Sequence, residues 1–466
     1  MMTCEGRAIS LWFGRVFPAL AVLASMFGCG DAPGAPPIRN VVVVVIDTLR
    51  ADHLESYGYQ RPTSPFLAEL ARGGVLFEDA SSPAPQTVPA VLSLWSGVHP
   101  SRHGVQYFPA SDSFHPRMPR APPTAPSETT FMAEYFRAAG FQTGAVVTNP
   151  WLQSKWGFAQ GFDWYMHRGP GTRGAEVNAA ALEILDDIDA PRFLLYLHYM
   201  DVHAPYLPSE EYLADFARGI YGSYVHWNGR KGAVSATDLA YTRAVYDAGI
   251  RTMDDALREF VVELSDRGLL EQTLLVVTGD HGEEFYEHEG LGHGHALYGE
   301  LLRVPLVITH PSLSPRRIAT PVGLIDVLPT LLALTGIATR GDYTGVSLLP
   351  LLRGQEGAGP AADRPLFFEL GWAKSIRRGD RKLIRHRRSS GGTPTEVHFD
   401  LSRDHEEALP QPEAPWAEAL REELDAFLSG AVSAKPMRPA DREEAGIAPG
   451  SELEQQLKLL GYLDDD

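Results

Sequence analysis

Four apolar runs of strand length stand out in this chain, and each of them ends abruptly in polar side chains. The runs cover 41–46, 145–147, 193–197 and 274–277, and none of them alternates between apolar and polar residues. Unbroken runs rich in Val, Ile and Leu are typical of strands that are buried on both faces of a parallel sheet. Ligands of such sheets bind beyond the carboxyl ends of the strands. The sequence therefore predicts a functional site at that edge.

The residues that follow these runs are mostly Asp, His, Asn and Thr. They are Asp47, Thr48, Thr148, Asn149, His198, Asp201, His203, Asp280 and His281. Because four separate strands would deliver these side chains to one sheet edge, we predict a metal site or a phosphate-type site there.

Helical patterns alternate with the strand patterns. They cover about 65–71, 88–95, 129–139, 175–188, 236–268 and 325–335, and a further strand pattern covers 304–309. This alternation predicts an α/β fold, with a large, mostly parallel sheet that is flanked by helices on both faces. Thr87 is expected to cap the second helix, with Pro89 in its first turn.

The pattern changes towards the carboxyl terminus. Short apolar segments near 367–369, 382–385 and 397–401 are typical of antiparallel strands, and an acidic, helical segment follows. The sequence thus predicts three parts beyond the amino-terminal segments. They are a catalytic α/β domain at 38–360, a small antiparallel subdomain at 361–410 and a helical acidic tail at 411–466.

The first 29 residues resemble a targeting segment. Arg7 and Arg15 precede an apolar stretch, 17–27, which is short for a membrane span and typical of a signal peptide. A linker rich in Gly, Pro and Ala follows at 30–37. We therefore expect the protein to be exported to the cell envelope, in the periplasm or at the outer surface.

Cys29 follows Gly28, and this pair resembles the cleavage box of bacterial lipoproteins, whose cysteine carries a lipid. Membrane attachment through Cys29 is one alternative, and ordinary cleavage near Gly30 without an anchor is the other. The only other cysteine, Cys4, lies within the predicted signal peptide, so the exported part would contain no disulfide.

Composition and charge fit an enzyme better than a nucleic-acid-binding protein. The chain has 466 residues, of which 44% are hydrophobic, and its formal net charge is −18. An acidic chain has no basic surplus with which to neutralise the phosphates of a nucleic acid. A small anionic substrate remains compatible with this charge, because a bound cation can reverse the local field. No sequence feature indicates the oligomeric state.

Five segments resemble the sulfatase branch of the alkaline phosphatase superfamily, and they occur in the order of that family. They cover 45–53, 96–104, 201–206, 278–283 and 302–308. The resemblance implies an ester hydrolase with a divalent metal ion at the strand edge. It also implies a histidine or a lysine near 292–295, where this chain offers His293 and His295 as alternatives.

The chain departs from the sulfatase pattern at the nucleophile. Sulfatases carry Cys (or Ser)-X-Pro-X-Arg, in which the first residue matures to formylglycine, whereas 87–91 reads Thr-Val-Pro-Ala-Val. Threonine cannot become formylglycine, and Val91 replaces the arginine. A threonine here resembles the phosphatase, phosphodiesterase and phosphotransferase branches, so we predict Thr87 as the nucleophile.

Two further departures concern the metal ligands. Asp47-Thr48 stands where typical sulfatases have paired aspartates, and Asp280-His281 stands where they have Asp-Asn. We predict one ion held by Asp47, Thr87, Asp280 and His281. An Asp and His ligand set favours Mn²⁺ or Zn²⁺ over Ca²⁺, which prefers an all-oxygen shell but stays an alternative.

Several other residues receive roles with alternatives. His203 is the first candidate for the general acid, and His293 or His295 could take this role instead. Asn149 and Asp201 are candidate substrate contacts. Asp201, His203 and His295 would form the ligand set of a second ion, as in the two-metal phosphodiesterase branch.

The sequence thus predicts an exported, metal-dependent hydrolase that forms a covalent intermediate on Thr87. Its substrates would be small anionic esters, namely phosphate monoesters, phosphate diesters or phosphonates, with sulfate esters as an alternative. A second alternative is a non-catalytic family member that binds an anionic glycan or a lipid head group.

Overall fold

The computed structural model describes residues 36–106, 124–225, 234–338, 341–355, 357–387, 394–412, 414–433 and 450–460. The predicted signal peptide, Cys29 and most of the linker lie outside these ranges. None of the helices within them is both long enough and apolar enough to span a membrane.

Fifteen strands occur in the described ranges. In chain order they are β1 (Asn40–Ile46), β2 (Val75–Ser81), β3 (Gln142–Val147), β4 (Trp164–His167), β5 (Phe193–Tyr199), β6 (Thr273–Gly279), β7 (Glu284–Phe285), β8 (Leu291–Gly292), β9 (Arg303–Thr309), β10 (Arg316–Ile318), β11 (Val322–Gly323), β12 (Pro365–Leu370), β13 (Ala373–Arg378), β14 (Arg381–His386) and β15 (Thr395–Asp400).

The α-helices of the same ranges fall mainly between these strands. They are α1 (Pro65–Gly73), α2 (Thr87–Ser96), α3 (Pro100–His103), α4 (Met132–Ala138), α5 (Gly174–Asp187), α6 (Glu210–Phe216), α7 (Ala236–Asp266), α8 (Gly299–Leu302), α9 (Val327–Leu334), α10 (Leu349–Leu352), α11 (Ala417–Ser433) and α12 (Glu452–Leu459).

A nine-stranded, mostly parallel sheet forms the larger part. Its order is β10-β2-β9-β6-β1-β5-β3-β4, with β11 also paired to β2. The strands β6, β1, β5, β3 and β4 run parallel, whereas β9 runs antiparallel to both β6 and β2. A four-stranded antiparallel sheet, β12-β13-β14-β15, follows. The predicted fold class, a mostly parallel sheet with a small antiparallel one, is confirmed, whereas the domain boundaries stay predictions.

The unbroken apolar run in β1 is explained by burial on two sides. Positions 41, 43 and 45 pack in one core with Trp95 of α2, and positions 42, 44 and 46 pack in another with Ile250 of α7. Both faces of the strand therefore need apolar side chains, and no polar position is left to alternate.

The register of the central strands fixes the position of the functional edge. Ile46, the last residue of β1, lies beside Tyr199 of β5 and Gly279 of β6. The three strands therefore end at the same level. Asp47 and Asp280, which follow β1 and β6, are consequently neighbours although 233 positions separate them in the chain.

Partly buried polar contacts attach the antiparallel sheet to the larger part. Arg377 of β13 donates two hydrogen bonds to the Asp79 carboxylate of β2, at 2.8 and 2.6 Å. The His288 ring, which lies between β7 and β8, faces the Glu300 carboxylate at 2.7 Å through Nδ1 and the Glu407 carbonyl oxygen at 3.1 Å through Nε2. Because both ring nitrogens face acceptors, the charged imidazole donates to both partners.

We expect His288 to make stability depend on pH. Burial opposes the charge of this imidazole, but the Glu300 carboxylate outweighs burial and raises the pKa of His288 from 6.5 to about 9. A raised pKa stabilises the folded state fully below 6.5, and the contribution is lost as the pH rises through 9. In urea unfolding at pH 6, the free energy of unfolding of the wild type should exceed that of His288→Gln by about 1–2 kcal/mol. This value is lower than the full pKa shift would give, because solvent screens the charge. The difference should shrink by pH 9.5, and a constant difference would contradict this assignment.

Candidate active site

Two buried carboxylates form the centre of the site. Asp47 and Asp280 are 0% and 1% exposed. The Asp280 Oδ1 atom accepts the backbone N–H groups of Thr48, at 3.1 Å, and His281, at 2.8 Å. Among the described residues, the Oδ2 atom of Asp280 and the Oδ1 atom of Asp47 have no hydrogen-bond partner. One oxygen of each carboxylate is therefore left for another ligand.

Thr48 holds an unusual backbone conformation next to Asp47. Its φ of 59° lies in the left-handed region, which is costly for a β-branched residue. Its hydroxyl donates to the Val202 carbonyl oxygen at 2.8 Å, and its N–H donates to Asp280. These two hydrogen bonds hold Thr48 in the strained conformation. The residue thereby connects the carboxylates of Asp47 and Asp280.

His281 faces both carboxylates through one ring nitrogen. Its Nδ1 atom donates to the Gly282 carbonyl oxygen at 2.9 Å. Its Nε2 atom lies 3.6 Å from Asp47 Oδ1 and 3.6 Å from Asp280 Oδ2. Burial lowers the pKa of His281, but Asp280 and Asp47 outweigh burial and the net shift is upward.

Thr87 is the first residue of α2, and Gln86 is the N-cap. The expectation that Thr87 caps this helix is therefore wrong, because the chain enters helical geometry one residue earlier. The Thr87 hydroxyl instead faces the site. It lies 3.3 Å from His281 Nε2 and accepts a hydrogen bond from Asn149 Nδ2 at 3.3 Å. Asn149 also donates to Asp47 Oδ2 at 2.9 Å. The structure thus brings Asp47, Thr87, Asn149, Asp280 and His281 together.

His198 also lies in this cluster, although the sequence motifs indicated no role for it. It is 0% exposed, and its Nε2 atom lies 3.8 Å from Asp47 Oδ2 and 3.9 Å from Asp280 Oδ2. In the part of the chain that the structure describes, neither of its ring nitrogens has a hydrogen-bond partner. The available signal was its position directly after an apolar run, which is the signal that identified Asp47 and Asp280.

The donor set of this cluster fits a divalent cation. One ligand atom from each of Asp47, His198 and Asp280 lies within 4.8 Å of the others. Buried carboxylates and imidazoles without partners are unfavourable, and a cation would satisfy them together. Oxygen and nitrogen donors of this kind are typical ligands of Mn²⁺ and Zn²⁺.

The two alternative histidines are placed differently. His293 lies against His281, with ring centroids 4.5 Å apart, and against His203, at 5.0 Å. Its Nδ1 atom is 3.0 Å from Glu283 Oε1, and burial followed by the neighbouring imidazoles lowers the pKa of His293 well below its usual range. His295 instead contacts Glu284 Oε2 at 2.6 Å through Nε2.

The structure does not assemble the second ligand set that the sequence indicated. Asp201 Oδ1 accepts the backbone N–H of Gly174 at 3.0 Å, and burial raises the pKa of Asp201 to about 6. His203 Nδ1 contacts the Ala204 carbonyl oxygen at 2.6 Å, and His295 contacts Glu284. Each of these three side chains has a different contact of its own. In the described ranges, Asp201, His203 and His295 therefore form no common metal group, and this expectation is corrected.

Comparison with known proteins identifies the family. The family model described as Sulfatase matches residues 39–337, which is more than half of the chain. The chain belongs to the sulfatase family. The predicted resemblance is thereby confirmed, and so is the prediction of a sulfatase-family hydrolase, whereas the type of nucleophile stays a prediction.

Individual relatives extend over different shares of this sulfatase-family protein. Bovine Arylsulfatase A is 26% identical over 397 residues, which cover 77% of this chain and 75% of that protein. Arylsulfatase K of Xenopus laevis is 39% identical over 111 residues, which cover 24% of this chain and only 20% of that protein. A solved structure, the phosphonate monoester hydrolase of Agrobacterium radiobacter, covers 85% of this chain and 96% of its own, with a TM-score of 0.67. At 19% identity, this last likeness shows the fold alone.

Proposed function

We propose that this sulfatase-family protein is a metal-dependent hydrolase of phosphorus esters that uses Thr87 as its nucleophile. The observation that carries the proposal is the position of the Thr87 hydroxyl, 3.3 Å from both His281 Nε2 and Asn149 Nδ2 beside two buried carboxylates. Because a threonine stands at the nucleophile position, formylglycine chemistry is not available to this chain.

The charge of the site supports metal dependence. Asp47 and Asp280 would repel an anionic ester if no cation balanced them. Asp47, Thr87, Asp280 and His281 would hold the ion, and Mn²⁺ or Zn²⁺ suits this set. A divalent cation there would lower the pKa of the Thr87 hydroxyl, so that its proton is lost to water, and would draw charge from an ester oxygen.

The first chemical step transfers the phosphoryl or phosphonyl group to the protein. The Thr87 oxygen attacks phosphorus, a new O–P bond forms, and the bond from phosphorus to the leaving oxygen breaks. Thr87 begins the ten-residue helix α2, so the free N–H groups of the first turn favour the anion. Asn149, which donates to the Thr87 hydroxyl, orients the nucleophile. Water then attacks phosphorus, the bond between phosphorus and the Thr87 oxygen breaks, and the Thr87 hydroxyl is restored with a proton from the water.

The leaving oxygen needs a proton. His203 is the first candidate for its donor, and His293 is the alternative, although its lowered pKa disfavours the charged form. His203 lies against His293, and His293 lies against His281. His203 Nδ1 donates to a carbonyl oxygen, so Nε2 is its nitrogen for proton exchange. His293 is oriented in the same way by Glu283. His295 is bound to Glu284 and is a less suitable donor.

Loss of the general acid should depend on the leaving group. Poor leaving groups such as alkyl alcohols need protonation, whereas 4-nitrophenolate does not. The variant that removes the acid, His203→Gln or His293→Gln, should therefore slow alkyl esters by about 10²–10⁴-fold and 4-nitrophenyl esters much less. The control is His295→Gln, for which we expect equal and small effects. If both site variants slow the two ester types equally, neither histidine is the acid.

Sulfate esters are the alternative substrate, supported by the similarity to bovine Arylsulfatase A. A panel of aryl phosphate, bis-aryl phosphate, aryl phosphonate and aryl sulfate, tested with Mn²⁺, Zn²⁺ and Ca²⁺, separates the alternatives. We expect turnover of at least one phosphorus ester to exceed that of the sulfate. Turnover of the sulfate alone would overturn the proposal. Binding of all four esters without turnover would favour a non-catalytic member instead.

We further propose that the protein acts in the cell envelope on small anionic esters. The apolar stretch 17–27 after Arg7 and Arg15 supports export, and Gly28-Cys29 supports attachment to a membrane through a lipid. Mass spectrometry of the protein purified from its host membranes would test both points. An intact amino terminus would contradict export by this signal, and a mature chain that begins without a lipid on Cys29 would contradict the anchor.

A further inference from the structure

We propose that His198 is a direct ligand of the bound cation and makes the site selective for Zn²⁺ or Mn²⁺ over Ca²⁺. This inference rests on the metal dependence in the proposed function. It gives a ligand role to a residue that the sequence placed at this edge without a role of its own. It also assigns to this residue the choice of metal rather than a step in catalysis.

The position of His198 is fixed by the sheet. Its Cα lies beside Val45 of β1, and its carbonyl oxygen accepts the Thr148 hydroxyl at 2.9 Å. The central strand β5 pairs with β1 on one side and β3 on the other. The backbone therefore cannot shift easily, and the imidazole is held at the functional edge.

The side chain of His198 is buried, and within the described ranges neither of its ring nitrogens has a hydrogen-bond partner. Its Nε2 atom lies 3.8 Å from Asp47 Oδ2 and 3.9 Å from Asp280 Oδ2, which is too long for a hydrogen bond. Burying such a ring without partners costs about 1–3 kcal/mol per polar group. A cation between the imidazole and the carboxylates would satisfy all three side chains.

The separations match a metal site. Ligand atoms around tetrahedral Zn²⁺, with bonds of about 2.0–2.1 Å, lie about 3.3 Å apart. His198 Nε2 and His281 Nε2 lie 3.6–3.9 Å from the nearest carboxylate oxygens. A small contraction would therefore complete the site. The two imidazoles face different oxygens of Asp47 and the same oxygen of Asp280, so the Asp280 oxygen is the ligand atom that both would share.

Two imidazoles change which ion the site prefers. Ca²⁺ takes six to eight oxygen ligands, whereas imidazole suits Zn²⁺ and related ions. With His281 as the only nitrogen donor, the remaining donors would be oxygens, a set that Ca²⁺ can also use. A second nitrogen donor from His198 shifts the preference towards Zn²⁺ or Mn²⁺.

The test compares metal affinities of wild type, His198→Phe and His198→Gln in the full-length protein. Chelator competition should show a loss of Zn²⁺ affinity of at least about 100-fold in His198→Phe, but a change in Ca²⁺ affinity below about 3-fold. The electronic spectrum of the Co²⁺-loaded protein should also change, because a nitrogen ligand is lost. The matched control is His103→Gln, which alters another fully buried histidine whose Nε2 atom contacts Ser93 Oγ. It should retain wild-type affinities.

The inference is overturned if both His198 variants bind Zn²⁺ as wild type does and keep the wild-type Co²⁺ spectrum. It is also overturned if wild type binds neither Zn²⁺ nor Mn²⁺. Thermal melting of the metal-free proteins shows whether His198→Phe folds, and His198→Gln provides the second variant if it does not. If Zn²⁺ affinity depends on His198 but no ester is turned over, only the proposed function is contradicted. If turnover needs Thr87 and metal but Zn²⁺ affinity does not depend on His198, only this inference is contradicted.

Discussion

Thr87→Ala is expected to reduce turnover of phosphorus esters by at least about 10³-fold, because it removes the atom that forms the covalent intermediate. The substitution removes only a hydroxyl and a methyl group, and alanine is favourable in the first turn of α2. We therefore expect metal affinity to change much less than turnover. The measurement is kcat/KM for aryl phosphate or phosphonate at saturating Mn²⁺ or Zn²⁺.

Two control variants make the result for Thr87 specific. Thr87→Ser keeps a hydroxyl and should retain most of the activity that Thr87→Ala loses. Ser96→Ala removes a hydroxyl at the other end of the same helix, where it donates to the Leu92 carbonyl oxygen, and should leave turnover near wild type. Substantial activity in Thr87→Ala at unchanged KM would mean that water attacks the ester directly, with no covalent step.

Asp280→Asn should weaken binding of Zn²⁺ or Mn²⁺ by at least about 100-fold and reduce turnover accordingly. The amide oxygen can still accept the N–H groups of Thr48 and His281, so the local fold is kept. The amide nitrogen, however, replaces the oxygen that has no partner and directs N–H groups towards the ion. One negative charge is lost at the same time.

Stability provides a second measurement for this variant. A metal at 1,000 times its Kd stabilises a folded protein by about 4 kcal/mol, and a chelator removes this gain. Wild type should therefore melt at a clearly higher temperature with Zn²⁺ than with chelator, whereas Asp280→Asn should show little difference at the same concentration. Without metal the variant should not be less stable than wild type, because it removes one of two adjacent buried carboxylates.

The matched control for Asp280 is Asp254→Asn. Asp254 is also fully buried and accepts two backbone N–H groups, those of Phe66 and Leu67, but it lies outside the metal cluster. It should keep the full metal-dependent gain in stability. An Asp280→Asn protein that gains as much stability from Zn²⁺ as wild type would contradict the placement of Asp280 among the ligands.

Much of the fold could be predicted because long-range packing and local pattern agree. The run at 41–46 is apolar throughout since both faces of β1 are buried, and strand order then places Asp47 beside Asp280. The short strand β13 was missed because its sequence, Ala-Lys-Ser-Ile-Arg-Arg, has few apolar residues. It pairs with β12 and β14, which a local pattern does not reveal.

The site could be predicted only in part, because side-chain direction depends on the backbone between the motifs. His293 and His295 differ by two positions, yet one contacts His281 and the other contacts Glu284. The side chains around them come from other segments, so the residues next to them in the sequence do not predict these contacts. His198 was placed at this edge but given no role for a related reason, since a histidine at the end of an apolar run can equally be a packed core residue. The carboxylate oxygens of Asp47 and Asp280 that have no hydrogen-bond partner among the described residues distinguish a metal ligand from a packed core residue.

The most direct test of the central claim is mass spectrometry of the protein quenched during turnover. Wild type, supplied with Mn²⁺ or Zn²⁺ and its best phosphorus ester, is stopped with acid in the millisecond range and digested. A covalent mechanism predicts that the peptide containing Thr87 carries the transferred phosphoryl or phosphonyl group, and that Thr87→Ala carries none. An active wild-type protein in which this peptide is never modified, even when product release shows an initial burst, would contradict Thr87 as the nucleophile.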